Sequence, residues 1–362
     1  MTTRSKRIEG LDFARAWAML GMLIVNYKIL TGAEGNGPTW LIHFMDLFEG
    51  RASALFVILA GIGISLMTRT AREANSFILL KETRKTIWKR ALFLFIVGMI
   101  LYVIGWTGDI LHYYGLYLFI GSLLIAAKGK MLLWLSAAAL LIAQTLQLTN
   151  NTLEGWDPGK PYMEYLDFWT FEGFFRNSMF NGYHPVLPWI CFFLLGMWIG
   201  KLNLNDGKIR KKILVISAMV AILLECLSAL MLRIYTPSIG LESAYFLFGT
   251  GPILPNIFYV LSASGTALVI LVLCLYFTNK YADYLFTDMI IKTGQLTLTH
   301  YVSHVIIGIE LLDVLNRMDN QTLAFSLGFS IAYFTISILF SVLWRRKYSR
   351  GPIEILMRKI GH

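Results

Sequence analysis

The chain has 362 residues, of which 56% are hydrophobic and only 15% are charged, and its mean hydropathy is +0.61. Since soluble domains are about one quarter charged, this composition excludes an ordinary soluble domain and predicts a membrane protein. The net charge of +10 does not indicate a nucleic-acid partner, because the basic residues are grouped between apolar segments, where they would face anionic lipid.

Apolar segments recur along the whole chain, and several approach the roughly 20 residues that a membrane-spanning helix needs. They predict an all-α polytopic protein with about ten transmembrane helices, organised as a single domain over residues 1–362 in contact with the lipid bilayer. The first segment is too long for a signal peptide and holds charged residues, so we expect a retained helix. The ten candidates are 12–31, 51–68, 90–107, 110–127, 131–148, 184–200, 213–232, 252–277, 285–312 and 322–344.

The basic residues are distributed unevenly about these segments. If the N-terminus is cytoplasmic and ten helices alternate, 24 of the 32 Lys and Arg residues fall on the cytoplasmic side and six on the outer side. This asymmetry is the positive-inside pattern. It predicts that both termini are cytoplasmic.

The first segment, "GLDFARAWAMLGMLIVNYK", carries three polar groups along one face. Asp12 and Arg15 are three residues apart and are therefore neighbours on a helix. Asn26 follows Arg15 by eleven residues, which returns it to within roughly 20° of the same face, about 16 Å along the axis. Polar groups inside a membrane are costly and often functional, so this face either lines a cavity or holds a structural ion pair.

The half of the membrane protein that is predicted to face outward is rich in side chains that can transfer protons. Imidazole is the usual general base near neutral pH. His300 and His304 have the i,i+4 spacing of metal ligands, but no third ligand accompanies them, so no metal is expected. The other outer groups are His43, Asp46 and Arg51 near the first outer loop, Asp109 and His112 in "WTGDILHYYG", and His184 in "GYHPVLPW".

Two further segments favour packing or interface roles. The outer segment 149–183 is strongly aromatic, which indicates either an anchor in the membrane interface or a lid over a pocket. "GMWIG", residues 196–200, places two glycines four apart and predicts a close helix contact, which leaves a homodimer open. For Glu225 and for Lys292 beside Asp288, we expect structural ion pairs.

Four stretches carry a family resemblance: "LDFARAWAMLGMLIVN", "WTGDILHYYGLYLFIG", "GQLTLTHYVSH" and "LFSVLWRRKYSRGPIEILMRKI". They resemble the YeiB-like family of bacterial membrane proteins over most of the chain. That family is grouped with the transmembrane acyltransferases, which include heparan-α-glucosaminide N-acetyltransferase and the O-acyltransferases of surface polysaccharides. Arg15 followed after ten residues by Asn26, and Tyr301 followed after two residues by His304, match motifs of these enzymes.

The resemblance implies an acyltransferase of the bacterial cytoplasmic (inner) membrane. It would move an acyl group, in the first instance acetyl, from a cytoplasmic acyl-CoA to a hydroxyl or amine of an outer-side acceptor, such as a glycan or a small metabolite. His304 is the expected base and His43 its competitor, although His43 follows Asn26 at a longer spacing than in the heparan enzyme. Asn26 would stabilise the oxyanion or position substrate.

The remaining site residues divide between the two substrates. The expected donor-binding residues are Arg15, Asp12 and Tyr301. The expected acceptor-binding residues are Asp46, Arg51, Asp109, His112 and His184. The same acids and histidines also fit a proton-coupled transporter or exporter of a small molecule, and a catalytically inactive scaffold is a third alternative.

Overall fold

The computed structural model describes residues 8–160 and 162–361. Within these ranges the chain is helical, apart from loops and one antiparallel bridge between Trp156 and Tyr165. Two π-helical turns, Asn177–Asn181 and His304–Gly308, interrupt the α-helices. The α-helices are α1 (Glu9–Leu30), α2 (Thr39–Asp46), α3 (Arg51–Met67), α4 (Arg69–Glu73), α5 (Phe77–Val103), α6 (Leu111–Leu123), α7 (Gly129–Thr149), α8 (Phe171–Arg176), α9 (Val186–Ile199), α10 (Gly207–Ile239), α11 (Leu241–Phe248), α12 (Ile257–Lys280), α13 (Leu285–Gly294), α14 (Thr297–Ser303), α15 (Ile309–Val314), α16 (Leu323–Arg345) and α17 (Pro352–Gly361).

The helices confirm the predicted all-α polytopic membrane class. In the described part of the chain, seven helical segments are long and apolar enough to cross a membrane, and an eighth is obtained if Phe171–Asn181 and Val186–Ile199, bent by 49°, form one span. The two other predicted segments are a short helix, α6, and the interrupted series α13 to α15. The count of ten spans and the cytoplasmic termini stay predictions.

The chain divides into two compact units. Unit 1 comprises Met1–Phe56 and Ala267–Leu356, and unit 2 comprises Val57–Thr266 and Met357–His362. That all 362 residues form a single acyltransferase-like domain therefore stays a prediction.

In unit 1, α1 is the central helix and packs against α13, α14 and α16. It buries 14 of its 22 residues, as expected for a helix that is apolar on most sides. At Gly294, the end of α13, a Cβ atom would collide with the backbone carbonyl of Asp12. The absence of a side chain there allows α13 to approach the start of α1 closely.

In unit 2, α5 packs along α6, and α9 packs against α6 and α7. The predicted close contact of "GMWIG" is made within the chain: a Cβ at Gly196 would meet the carbonyl of Ile58, and a Cβ at Gly200 would meet Ser65. Both glycines are therefore occupied by contacts with α3, and this motif gives no support to a homodimer.

The outer segment 149–183 folds onto the end of α5. Trp156, Tyr165 and Phe168 are buried around Tyr102, whose ring stacks on Phe168 at a centroid distance of 3.7 Å. Arg176 forms ion pairs with Glu154 and Asp167 within the segment. Several apolar side chains of the segment are nevertheless exposed, namely Met163, Leu166, Trp169, Phe171 and Phe175. Such a surface fits the membrane interface, and whether the segment also acts as a lid stays open.

Candidate functional site

Near the start of α1, Asp12 and Arg15 of the polar face form an ion pair. Nη1 of Arg15 lies 2.5 Å from Oδ1 of Asp12. The Asp12 side chain is 1% exposed, whereas that of Arg15 is 27% exposed. The buried carboxylate of Asp12 therefore fixes the orientation of the Arg15 guanidinium. The other N–H groups of Arg15 are available to a ligand, because its side chain is partly exposed.

Asn26 and His304, 278 residues apart in sequence, meet directly. Nδ2 of Asn26 lies 3.0 Å from Nε2 of His304. His304 is buried and Asn26 is half-buried. The structure therefore joins the end of the polar face of α1 to the histidine of the Tyr301–His304 motif.

The hydrogen bonds of His304 define its tautomer. Its Nδ1 atom bonds the backbone carbonyl of Tyr301, and because a carbonyl can only accept, Nδ1 must carry the proton. In the neutral ring, Nε2 is then the proton acceptor, and the amide of Asn26 donates to it. His304 is thus held with its basic nitrogen directed at Asn26.

Backbone geometry and two tyrosines fix this imidazole. His304 begins the π-helical turn His304–Gly308, and such turns are frequent at functional sites. The hydroxyl of Tyr27 donates to the His304 carbonyl at 3.3 Å. The Tyr301 ring lies against the imidazole, with centroids 5.0 Å apart. Tyr301, predicted to bind the donor, therefore contacts His304 with its backbone carbonyl and its ring.

A buried ionic cluster that the sequence did not predict lies near the C-terminal end of α1. Lys28, whose side chain is 6% exposed, bonds Oδ1 of Asp46 at 3.2 Å and also bonds Glu49. The available signal was Asp46 at the end of α2 and Glu49 shortly after it, but the pairing depends on α2 folding back onto α1.

The other residues predicted near the first outer loop lie on α2 and at the start of α3. His43 is exposed on α2, and no hydrogen bond or ring contact links it to Asn26 or His304 among the described residues. Arg51 is half-buried at the first position of α3.

Unit 2 contains a separate histidine–carboxylate pair. Oδ2 of Asp109 accepts hydrogen bonds from Nδ1 and from the backbone N–H of His112, both at 2.9 Å. Both residues are fully buried, and Nε2 of His112 has no hydrogen-bond partner among the described residues. At Gly98, a Cβ would meet the backbone of His112, so the glycine allows α5 to pack against this pair.

His184, also predicted to bind the acceptor, lies in the same unit. Its backbone carbonyl accepts from the hydroxyl of Tyr117, and its ring contacts those of Trp189 and Tyr113. The sequence analysis overlooked Asn177 nearby, which accepts at 2.6 Å from Tyr113. Its position among the aromatic residues of segment 149–183 was the signal in the sequence that could have indicated Asn177.

The other polar residues singled out in the sequence have defined partners. His300 bonds Ser341 at 2.7 Å rather than sharing a ligand with His304, and the described residues hold no group of three potential metal-binding His, Cys, Asp or Glu side chains. Lys292 forms the expected ion pair with Asp288, at 2.5 Å. Glu225 bonds the hydroxyls of Thr250, at 3.0 Å, and Ser262.

The fold and sequence define a class, the transmembrane acetyltransferase-like proteins. Residues 7–238, more than half of the chain, match the family described as heparan-alpha-glucosaminide N-acetyltransferase, catalytic, and the chain belongs to this family. Residues 201–361 match a protein family of unknown function, DUF418. The uncharacterized protein YeiB of Escherichia coli (strain K12) is 25% identical over 382 aligned positions, covering 97% of this chain and 95% of YeiB. The chain is thus a YeiB-like member of an acetyltransferase-related family.

Proposed function

We propose that the protein is a membrane-embedded acyltransferase that moves an acetyl or other acyl group from cytoplasmic acyl-CoA to a hydroxyl or amine of an outer-side acceptor. The observation that supports it best is the hydrogen bond between Asn26 and the basic nitrogen of His304. This pair combines a general base with an amide donor, the two groups that acyl transfer requires.

His304 acts as the general base. The Tyr301 carbonyl keeps the proton on Nδ1, so Nε2 is ready to accept the proton of the acceptor's hydroxyl or amine. The acceptor oxygen or nitrogen then forms a bond to the thioester carbonyl carbon, and the carbon–sulfur bond breaks. His304 returns the proton to the departing thiolate, and free CoA thiol and the acylated acceptor are the products.

Asn26 acts at two stages. In the resting site, its amide donates to Nε2 of His304 and fixes the ring. When the acceptor takes this position beside Nε2, the amide N–H groups become available to the carbonyl oxygen of the thioester. They would then stabilise the negative charge that develops there, in the manner of an oxyanion hole.

Arg15 binds the anionic part of the donor. Acyl-CoA carries phosphate groups, and guanidinium binds phosphate through paired hydrogen bonds. The partial exposure of Arg15 and the burial of its partner Asp12 support this assignment. The ion pair places a preoriented cation on the half of α1 that the charge distribution predicts to be cytoplasmic.

Two sets of groups, one within each unit, are separate candidates for binding the acceptor. Asp46 and its partner Lys28 belong to unit 1, and Asp109, His112 and His184 belong to unit 2. The unsatisfied Nε2 of His112 can bond an acceptor hydroxyl, since Asp109 fixes the opposite side of the ring. His43 and Arg51 stay candidates for acceptor contact near the first outer loop.

A proton-coupled transporter is the second candidate. The observation that favours it is Glu225, a carboxylate within the apolar helix α10 that bonds two hydroxyls. Ionisable groups at such depth commonly bind coupling ions or protons. The family relationship favours acyl transfer, because the matched family is named for an acetyltransferase.

Release of free thiol from acetyl-CoA tests the proposal. Purified protein in proteoliposomes would receive acetyl-CoA together with glucosamine as an amine probe or glycerol as a hydroxyl probe. We expect thiol release that depends on the acceptor and on the protein. Absence of thiol release with amine and hydroxyl probes, accompanied by proton-gradient-dependent solute flux, would contradict the enzyme assignment and support the transporter.

A further inference from the structure

A cavity of about 290 Å³ lies in unit 2, outside the apolar segments. It is lined by α4 and by the loop that follows α9, and its charged residues are Arg69, Arg72, Glu73 and Lys201. Small-molecule pockets are usually about 300–1,000 Å³, so this cavity has room for a small group only. The lining carries three positive charges and one negative charge.

Two of the three cations lack a carboxylate partner. Arg69 forms an exposed ion pair with Glu73 at 2.6 Å. Arg72 donates instead to the hydroxyls of Thr68 and Ser65. Among the described residues, neither Arg72 nor Lys201 forms an ion pair.

Lys201 is held by a neutral oxygen. Its Nζ atom donates to the backbone carbonyl of Ala127 at 2.5 Å. Burial lowers the pKa of Lys201, and the nearby charge of Arg72 lowers it further. Burial also lowers the pKa of the Arg72 guanidinium. Glu73, which lines the same cavity, raises the pKa of Arg72, but its carboxylate forms its ion pair with Arg69. Two cations therefore lie together beside the cavity without an ion pair among the described residues, an arrangement that a bound anion would stabilise.

We infer that this cavity binds a phosphate group through Arg72 and Lys201. Guanidinium offers paired donors to phosphate oxygens, and the lysine ammonium adds a compact charge. The positive-inside pattern predicts that this end of α3 and α9 is cytoplasmic. The phosphate belongs either to a soluble phosphate ester or to a phospholipid headgroup, and the inference does not rest on the proposed acyl transfer.

Isothermal titration calorimetry of the protein in phosphatidylcholine nanodiscs tests the inference. The two probes are pyrophosphate and adenosine 3′,5′-bisphosphate, and chloride keeps the ionic strength constant. We expect saturable binding by the wild type. Lys201→Gln should weaken it about tenfold, a change of roughly 1.4 kcal/mol in binding free energy. Lys201→Arg, which keeps the charge, should retain binding. Lys211→Gln should also retain binding, because it removes an exposed charge near the start of α10, outside the cavity.

A second arm identifies the source of the phosphate. If a lipid headgroup fills the cavity, phosphatidylglycerol in the nanodisc should compete with pyrophosphate and weaken its binding. If a soluble ester is the ligand, phosphatidylglycerol should leave the affinity for pyrophosphate unchanged. Either result supports a phosphate site. Absence of binding by both probes in phosphatidylcholine nanodiscs, or equal affinity in folded Lys201→Gln, would overturn the inference.

Discussion

At the scale of single residues, the account depends on the pairing of Asn26 with His304. The hydrogen bond between Asn26 Nδ2 and Nε2 of His304 gives the imidazole one defined basic nitrogen. A neighbouring histidine, His300, offers a natural comparison, because it lies on α14, four residues before His304, and bonds Ser341 instead. Substitution of the two histidines should therefore have different consequences.

We predict that His304→Ala lowers the transfer rate by about a hundredfold to ten-thousandfold, the usual contribution of a general base. His300→Ala should retain most of the activity, since its ring does not contact Asn26. The measurement is thiol release from acetyl-CoA by variants whose folding is checked by thermal denaturation. Undiminished activity in folded His304→Ala would rule out His304 as the base and favour His43 or His112.

The same hydrogen bond predicts non-additive effects. Asn26→Ala alone should lower the rate, because His304 loses its donor and the oxyanion loses its amide. In the double variant with His304→Ala, the loss should be clearly smaller than the product of the two single losses, since the two groups act as a unit. Strictly multiplicative losses would mean that the two side chains act independently.

At the scale of helices, the close approach of α13 to α1 is the feature most open to test. Gly294→Ala should lower the free energy of unfolding by about 1–3 kcal/mol, because the new Cβ would collide with the Asp12 carbonyl. Gly328→Ala is the matched control. Outside its own helix turn, no atom lies within 4 Å of a Cβ at this position, and alanine stabilises a helix by about 0.5–1 kcal/mol relative to glycine. Thermal denaturation in one detergent should give a lower melting temperature for Gly294→Ala than for Gly328→Ala. Equal melting temperatures of the two variants would contradict the close packing of α13 against α1.

Helix α17 is connected to the start of α14 through Glu354. Its carboxylate accepts from the backbone N–H groups of Leu298 and Thr299, and from the Thr299 hydroxyl at 2.5 Å. Burial raises the pKa of Glu354 despite these hydrogen bonds. The folded protein therefore binds this proton more tightly than the unfolded chain does, and its stability should fall as pH rises through the raised pKa.

Glu354→Gln should remove this component of the pH dependence. We predict that the melting temperature of the wild type, minus that of the variant, decreases from acidic to neutral pH. Melting curves of both proteins in one buffer series provide the measurement. Parallel curves would show that Glu354 has the same pKa in the folded and unfolded states.

Individual elements also show what sequence could and could not predict. The polar face of α1 follows from helical periodicity, and Tyr301 and His304 follow from a motif. The interruptions within 285–312 were not predicted, because an isolated glycine such as Gly294 is tolerated inside a helix and the segment contains no proline. The contact of Asn26 with His304 depends on the packing of α1 against α14, and the buried pairing of Lys28 depends on the return of α2; neither is encoded in local periodicity.

At the scale of the whole molecule, the unequal distribution of basic residues predicts the orientation in the membrane. In a cysteine-free background, Lys160→Cys should react with a membrane-impermeant maleimide added to intact cells. Lys211→Cys should react only after the membrane is permeabilised. The opposite labelling pattern would contradict cytoplasmic termini and the direction of transfer from inside to outside.

The central claim is that the protein uses an acyl-CoA, and binding of acetyl-CoA to purified, folded protein tests it most directly without knowledge of the acceptor. Titration would compare the wild type with Arg15→Ala and with Lys280→Ala, which removes an exposed basic residue at the predicted cytoplasmic end of α12. We predict saturable binding by the wild type and by Lys280→Ala, and binding weakened about tenfold in Arg15→Ala, or roughly 1.4 kcal/mol. Absence of binding by the folded wild type would contradict the account.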